Sequence, residues 1–170
     1  MKTTSKMSLV LAVIAAAAVV PSLARAQSAS INATADVQMA LTVAGTQPLS
    51  FGAAFPGTTR TVLATDAASA GYLTLTGALN AEVSYSFTAI PANLTYLANN
   101  LPVTFNAAWS YLNDGTGQTA IGDMAAGATT RLGLADGLLY VFVGGSISPT
   151  TEPAGTYTGS LTLTAAYTGN

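Results

Sequence analysis

Cysteine and histidine are both missing from the 170-residue chain, and charge is scarce, with five basic and seven acidic residues. Without histidine the commonest general base near neutral pH is gone. The usual zinc ligands go with it, as do the Ser-His and Cys-His nucleophiles. No disulfide can form, so burial and backbone pairing alone must hold the fold. No catalytic residue, metal site or cofactor is expected. The seven acids lie scattered, mostly at turns, and no two share a strand face at short spacing. A carboxylate pair that meets only in space stays open as a reading, but turn capping accounts for Asp66, Asp114, Asp123 and Asp136.

Lysine disappears as well once the N-terminus is read as a leader. Residues 1–26 carry Lys2 and Lys6, an apolar run from Leu9 to Val20, and Ala24-Arg25-Ala26 before Gln27. That is the pattern of a secretory signal peptide cut after Ala26. The run falls short of the roughly 20 residues of a spanning helix, and no later segment is long and apolar enough to cross a membrane as a helix. The expected mature chain is residues 27–170, read as a single domain with an N-terminal extension over about 28–38. It keeps Arg60 and Arg131 against Asp36, Asp66, Glu82, Asp114, Asp123, Asp136 and Glu152, a net charge of −5. Nucleic acid is excluded as a partner, because phosphate binding needs a basic surface. Soluble β proteins often guard open sheet edges with lysine. Here edges must be covered, or be meant to pair with another chain.

What the chain does contain is alternation. "EVSYSFTAI" (82–90) places Val83, Tyr85, Phe87 and Ala89 on one face, and "LPVTFNAAWSY" (101–111) does the same for Leu101, Val103, Phe105, Ala107, Trp109 and Tyr111. "PLSFG" (48–52), "TRTVLA" (59–64) and "GYLTLTG" (71–77) are shorter strand candidates. Asn113-Asp114-Gly115 marks a turn. "LLYVFVGGSI" (138–147) is apolar on both faces, as suits a central strand. The only helical candidate, near "GDMAAGATTRLGL", is weakened by its glycines. Roughly eight short strands at this spacing predict an all-β, immunoglobulin-like antiparallel β-sandwich.

The longest alternation opens the mature chain. In "SASINATADVQMALTV" (28–43) the odd positions from Ile31 to Val43 are all apolar. A period of two means an extended strand with one dry face, yet a typical strand has only about five or six residues.

Both ends of the domain resemble a known family. Leu49, Phe51 and Gly52 near the start, and Gly155, Tyr157, Leu161, Leu163 and Tyr167 near the end, are similar to bacterial domain-of-unknown-function family 4402. They are also similar to the spore coat protein U domain of archaic chaperone–usher fimbrial subunits, which makes the expected sandwich pilin-like. Gly155 and Tyr167 stand twelve residues apart, as in the end signature of chaperone–usher pilins. The chain departs from these patterns in lacking a cysteine pair and in carrying three residues after Tyr167.

The resemblance implies an exported structural protein, passing through the periplasm to the cell surface, that polymerises as a fimbrium and serves adhesion. In such assemblies one subunit's N-terminal extension fills a groove in the next by β-strand addition. The implied donor row is Ile31, Ala33, Ala35 and Val37. The implied acceptor groove lies along the last strand, with Gly155, Tyr157, Leu161, Leu163, Ala165 and Tyr167. The implied partners are other copies of the chain and a periplasmic chaperone and usher. Met39 to Val43 then starts the protein's own sandwich. Burying Ile31, Val37, Met39 and Leu41 contributes about 6–12 kcal/mol before ordering costs. Two other readings stay open: a self-contained secreted or surface β-sandwich module, binding carbohydrate or a surface or serving as a coat component, whose opening strand folds into its own sheet, and an eight-stranded outer-membrane barrel. The barrel fits the size, but the strands are short and no aromatic residue closes the chain.

Overall fold

The computed structural model describes residues 27–35, 37 and 39–169. The leader, Asp36 and Gln38 lie outside the described residues. The chain divides into two units, Met1–Asp36 and Val37–Asn170. In the first, residues 27–35 carry neither helix nor strand and are exposed.

The second unit is an antiparallel β-sandwich of ten strands, without a helix among the described residues. These are β1 (Thr42–Gln47), β2 (Arg60–Val62), β3 (Gly71–Thr76), β4 (Glu82–Ala89), β5 (Asn93–Tyr96), β6 (Asn99–Ser110), β7 (Thr119–Ile121), β8 (Ala128–Arg131), β9 (Leu138–Ile147) and β10 (Thr162–Tyr167). Seven form one sheet in the order β1-β3-β9-β6-β5, with β2 also on β9 and β7 also on β6; three form the other, β10-β4-β8. Among the described residues no helix is long and apolar enough to cross a membrane.

Side-chain alternation builds the core. Val83, Tyr85 and Phe87 of β4 and Leu163 of β10 face Leu75, Ala107, Leu139, Val141 and Val143 of the large sheet. The central strand β9 is buried on both faces. Its outer side holds Phe142 in a second cluster with Ala64 and Ala108, covered by Tyr72 and Tyr140. The Tyr72 ring lies 5.4 Å from Phe142 and meets Tyr140 edge-on at 6.1 Å.

Several elements depart from the expected boundaries. The first strand begins at Thr42, not Met39, because its partner β3 ends at Thr76, the residue opposite Thr42. "PLSFG" is not a strand: Gln47 pairs with Tyr72 close to the start of β3, and the chain turns away at Pro48. The strand expected at 59–64 shortens to β2. The helical candidate is a turn capped by Asp123, whose carboxylate accepts from the N–H groups of Ala125 (2.9 Å) and Ala126 (3.2 Å). Gly127 ends it at φ +75°, where a side chain would strike the Tyr85 carbonyl. The last strand starts at Thr162. Ahead of it, Thr158 leaves the small sheet and pairs with Thr95 of β5, through N–H to carbonyl bonds of 2.8 and 3.0 Å.

Candidate functional site

The two edge strands β1 and β10 share one pole and diverge from it. Thr42, the first residue of β1, lies opposite Thr76 at the end of β3, and Tyr167, the last of β10, lies opposite Val83 at the start of β4. Residues 77–81 join β3 to β4, so the start of β1 and the end of β10 meet at this turn. The Tyr167 hydroxyl accepts from the Ala78 N–H (2.7 Å) and donates to the Met39 carbonyl (2.8 Å). Gly77 makes the room: a Cβ there would collide with the Tyr167 hydroxyl and come within 2.7 Å of Leu132 and 3.1 Å of Leu41.

Away from this pole the sandwich is open. The small sheet has three strands against the five-strand width of the large one, and among the described residues neither β1 nor β10 has a strand partner on its second edge. Beside β1 lies a groove of about 880 Å³, which no residue of β10 lines. One wall is Gly45 to Pro56 and the other Glu152 to Leu161, with Leu73, Leu94, Leu101, Phe105, Val143 and Ile147 beneath. This volume sits in the upper part of the range of about 300–1,000 Å³ for ligand pockets. The groove is long because it follows two chain segments, and Glu152 is its one charged lining residue.

Both walls are pinned from behind. Gln47 donates through Nε2 to the carbonyls of Ala67 (3.0 Å) and Ala70 (2.8 Å). The Arg60 Nε donates to the Phe51 carbonyl (3.4 Å), and Gly52 turns the chain at φ +66°. On the opposite wall the Tyr157 ring lies 5.6 Å from Tyr96, and its hydroxyl donates to the Pro153 carbonyl (3.0 Å). The Tyr157 hydroxyl is pushed up, first by desolvation and then by the Glu152 charge. The Glu152 carboxyl is held low, first by the Thr150 N–H and also by that of Thr151 (2.9 Å).

Of the residues singled out in the last strand, Gly155, Tyr157 and Leu161 line the groove. Leu163 is buried in the core, and Ala165 and Tyr167 pack against it. Ile31 and Val37 are 94% and 91% exposed, Ala33 and Ala35 are also exposed, and none of the four is in a strand. The sequence reading did not anticipate the groove floor, since Leu94, Leu101, Phe105 and Ile147 carry the alternation of any covered strand. It also passed over Gly45, whose signal was an interruption of the apolar row after Leu41 and Val43.

The arrangement offers shape, apolar surface and the open edge of β1, with Glu152 and Tyr157 among its ionisable lining groups. No protein-family profile matches the chain, and no curated protein matches it.

Proposed function

We propose that the chain is a structural subunit of an exported surface fibre, in which the N-terminal extension of one copy adds as a strand to the groove of the next. The observation that carries this reading is the groove between residues 45–56 and 152–161: an apolar floor beside the outer edge of β1, which no strand pairs among the described residues. An incoming strand pairs its backbone with the β1 edge and turns alternate side chains to the floor. Ile31, Ala33, Ala35 and Val37 form such a row, and the large members are exposed. The extension carries one charged residue, Asp36, and the groove one, Glu152; both are acidic, so the contact rests on apolar burial and backbone pairing and not on charge attraction. The resemblance to the spore coat protein U domain supports the same reading. It adds a periplasmic chaperone and an usher as partners, the cell surface as destination and adhesion as purpose.

Geometry also favours donation between copies over self-insertion. The chain enters its own domain at Met39 to Leu41, at the pole fastened by Tyr167, whereas the groove runs on to Phe51 and Tyr157, which pack in a separate cluster with Leu94, Leu101, Val103 and Ile147. A donor whose body lies beyond the open end leaves every copy with one filled groove and one donated strand. Such head-to-tail contacts are heterologous and propagate as a filament. The competing reading is a self-contained surface module.

Sedimentation of the mature protein tests the proposal. Under fibre assembly the protein forms oligomers, Val37→Asp returns it to monomer with little loss of thermal stability, and excess peptide SASINATADV caps the chains and raises the melting temperature. A concentrated wild-type protein that stays monomeric and ignores the peptide overturns it.

A further inference from the structure

Five glycines line the groove: Gly45, Gly52, Gly71, Gly155 and Gly159. Four have a reason within the domain. Gly52 sits at φ +66°. A Cβ on Gly71 would lie 2.7 Å from the Leu49 nitrogen, one on Gly155 would enter the Tyr96 ring, and one on Gly159 would come within 2.8 Å of Leu94. Gly45 has none of these reasons. Its φ is not positive, and nothing lies within 4 Å of the position its Cβ would take. A bulge interrupts the ladder between Gly45 and Gln47, but a bulge that needs glycine needs it left-handed, and Gly45 is not. An interior strand glycine without a local cause marks a place where another chain comes close.

We propose that Gly45 is the register-setting seat of the groove, where the bare backbone of one copy receives the Ile31 side chain of a second copy. The proposal rests on the strand-donation reading. Met39 is held by its own Tyr167, so Val37 is the last apolar residue of the extension free to enter a neighbour. With the donor body beyond the open end, Val37 lies at the Phe51 and Tyr157 end. Ile31 is six residues back along the donor, and Gly45 is six residues back along the wall from Phe51. The donor interval spans about 20 Å when extended, and the wall runs in the same order along the groove, with Gly45 on β1 and Phe51 beyond the turn at Pro48. The donor therefore runs parallel to β1, with its largest side chain opposite the groove glycine whose Cβ position has no neighbour within 4 Å. Ala33 and Ala35 fall between, where Leu49 already projects into the apolar interior.

The absence of cysteine makes the test direct. The mature chain is prepared as the Ile31→Cys/Gly45→Cys double variant and oxidised with diamide, which takes up the two thiol hydrogens as the disulfide forms. The expected result is a ladder of covalent oligomers on a non-reducing gel. Val37→Cys/Gly45→Cys should lose that ladder, because it places the second thiol about 20 Å away. A ladder from the second pair and none from the first overturns the register while leaving donation standing. A fast-migrating cross-linked monomer from the first pair overturns both, since the extension then occupies its own groove. No cross-link from either pair, with Ile31→Cys/Phe51→Cys also negative, likewise overturns both. Thermal melts of each reduced variant establish that it is folded; the open space around Gly45 accommodates a cysteine.

Discussion

The hydroxyl of Tyr167, near the end of the final strand, donates a 2.8 Å hydrogen bond to the carbonyl of Met39, 128 residues earlier in the chain. The same oxygen accepts from the Ala78 N–H at 2.7 Å. One side chain thus fastens the point where the chain enters the sandwich to the turn between its two sheets, and β10, which carries it, continues back toward the groove wall. Tyr167→Phe keeps the ring packing and removes both bonds. The loss in unfolding free energy should be about 1–3 kcal/mol, because a part-buried N–H loses its acceptor. Denaturant melts measure it, and faster amide exchange over residues 39–43 localises it.

A second tyrosine points to the opposite outcome. Tyr85 is 3% exposed in the core, and its hydroxyl has no hydrogen-bond partner among the described residues. Burial raises its pKa well above the ordinary value, with a smaller contribution from Tyr111. An unpaired buried hydroxyl costs about 1–3 kcal/mol on protein scales. Tyr85→Phe should therefore leave the urea midpoint unchanged or raise it, by up to about 1 kcal/mol in stability.

Acid sensitivity should trace to two turns. The Asp114 carboxyl is held below its ordinary 3.8, first by the Thr116 hydroxyl (2.6 Å) and then by the Thr116 N–H (2.9 Å). Glu152 is held below its ordinary 4.5, first by the Thr150 N–H. Both pKa values are lower folded than unfolded, so the stabilisation is complete above the unfolded values and disappears as pH falls through the folded ones. Melting temperature should be level from neutrality to about pH 5 and fall below it. Asp114→Asn, which keeps an acceptor and removes the titration, should flatten part of that fall.

These residues also mark where sequence reasoning reaches its limit. The alternation of β4 and β6 and the two-sided apolar run of β9 are written in the chain itself, because each follows from burial of one or both faces. Strands β5, β7 and β8 are three or four residues long, with polar members such as Asn93 and Thr129. They are strands only because β6 and β4 offer them an edge. The groove divides in the same way. Leu49, Phe51, Tyr157 and Leu161 were visible as patterned residues, whereas the position of Leu94, Leu101 and Ile147, buried beneath the groove, depends on how many strands lie above them.

Two glycines in opposite walls of that groove should respond in opposite directions to the same added methyl. At Gly155 the new Cβ enters the Tyr96 ring, so the segment must lift and strain the paired bonds between Thr95 and Thr158. Overpacking of this kind costs about 1–3 kcal/mol, and Gly155→Ala should lower the melting temperature and speed amide exchange at Thr95 and Thr158. At Gly45 the methyl enters open space with an ordinary φ. Gly45→Ala should leave stability unchanged or raise it by about 0.4–1 kcal/mol, through reduced freedom of the unfolded chain. Oligomer size measured on the same two samples then separates wall from seat. Gly155→Ala should weaken association in proportion to its loss of stability, and Gly45→Ala should weaken association while the domain itself is no less stable.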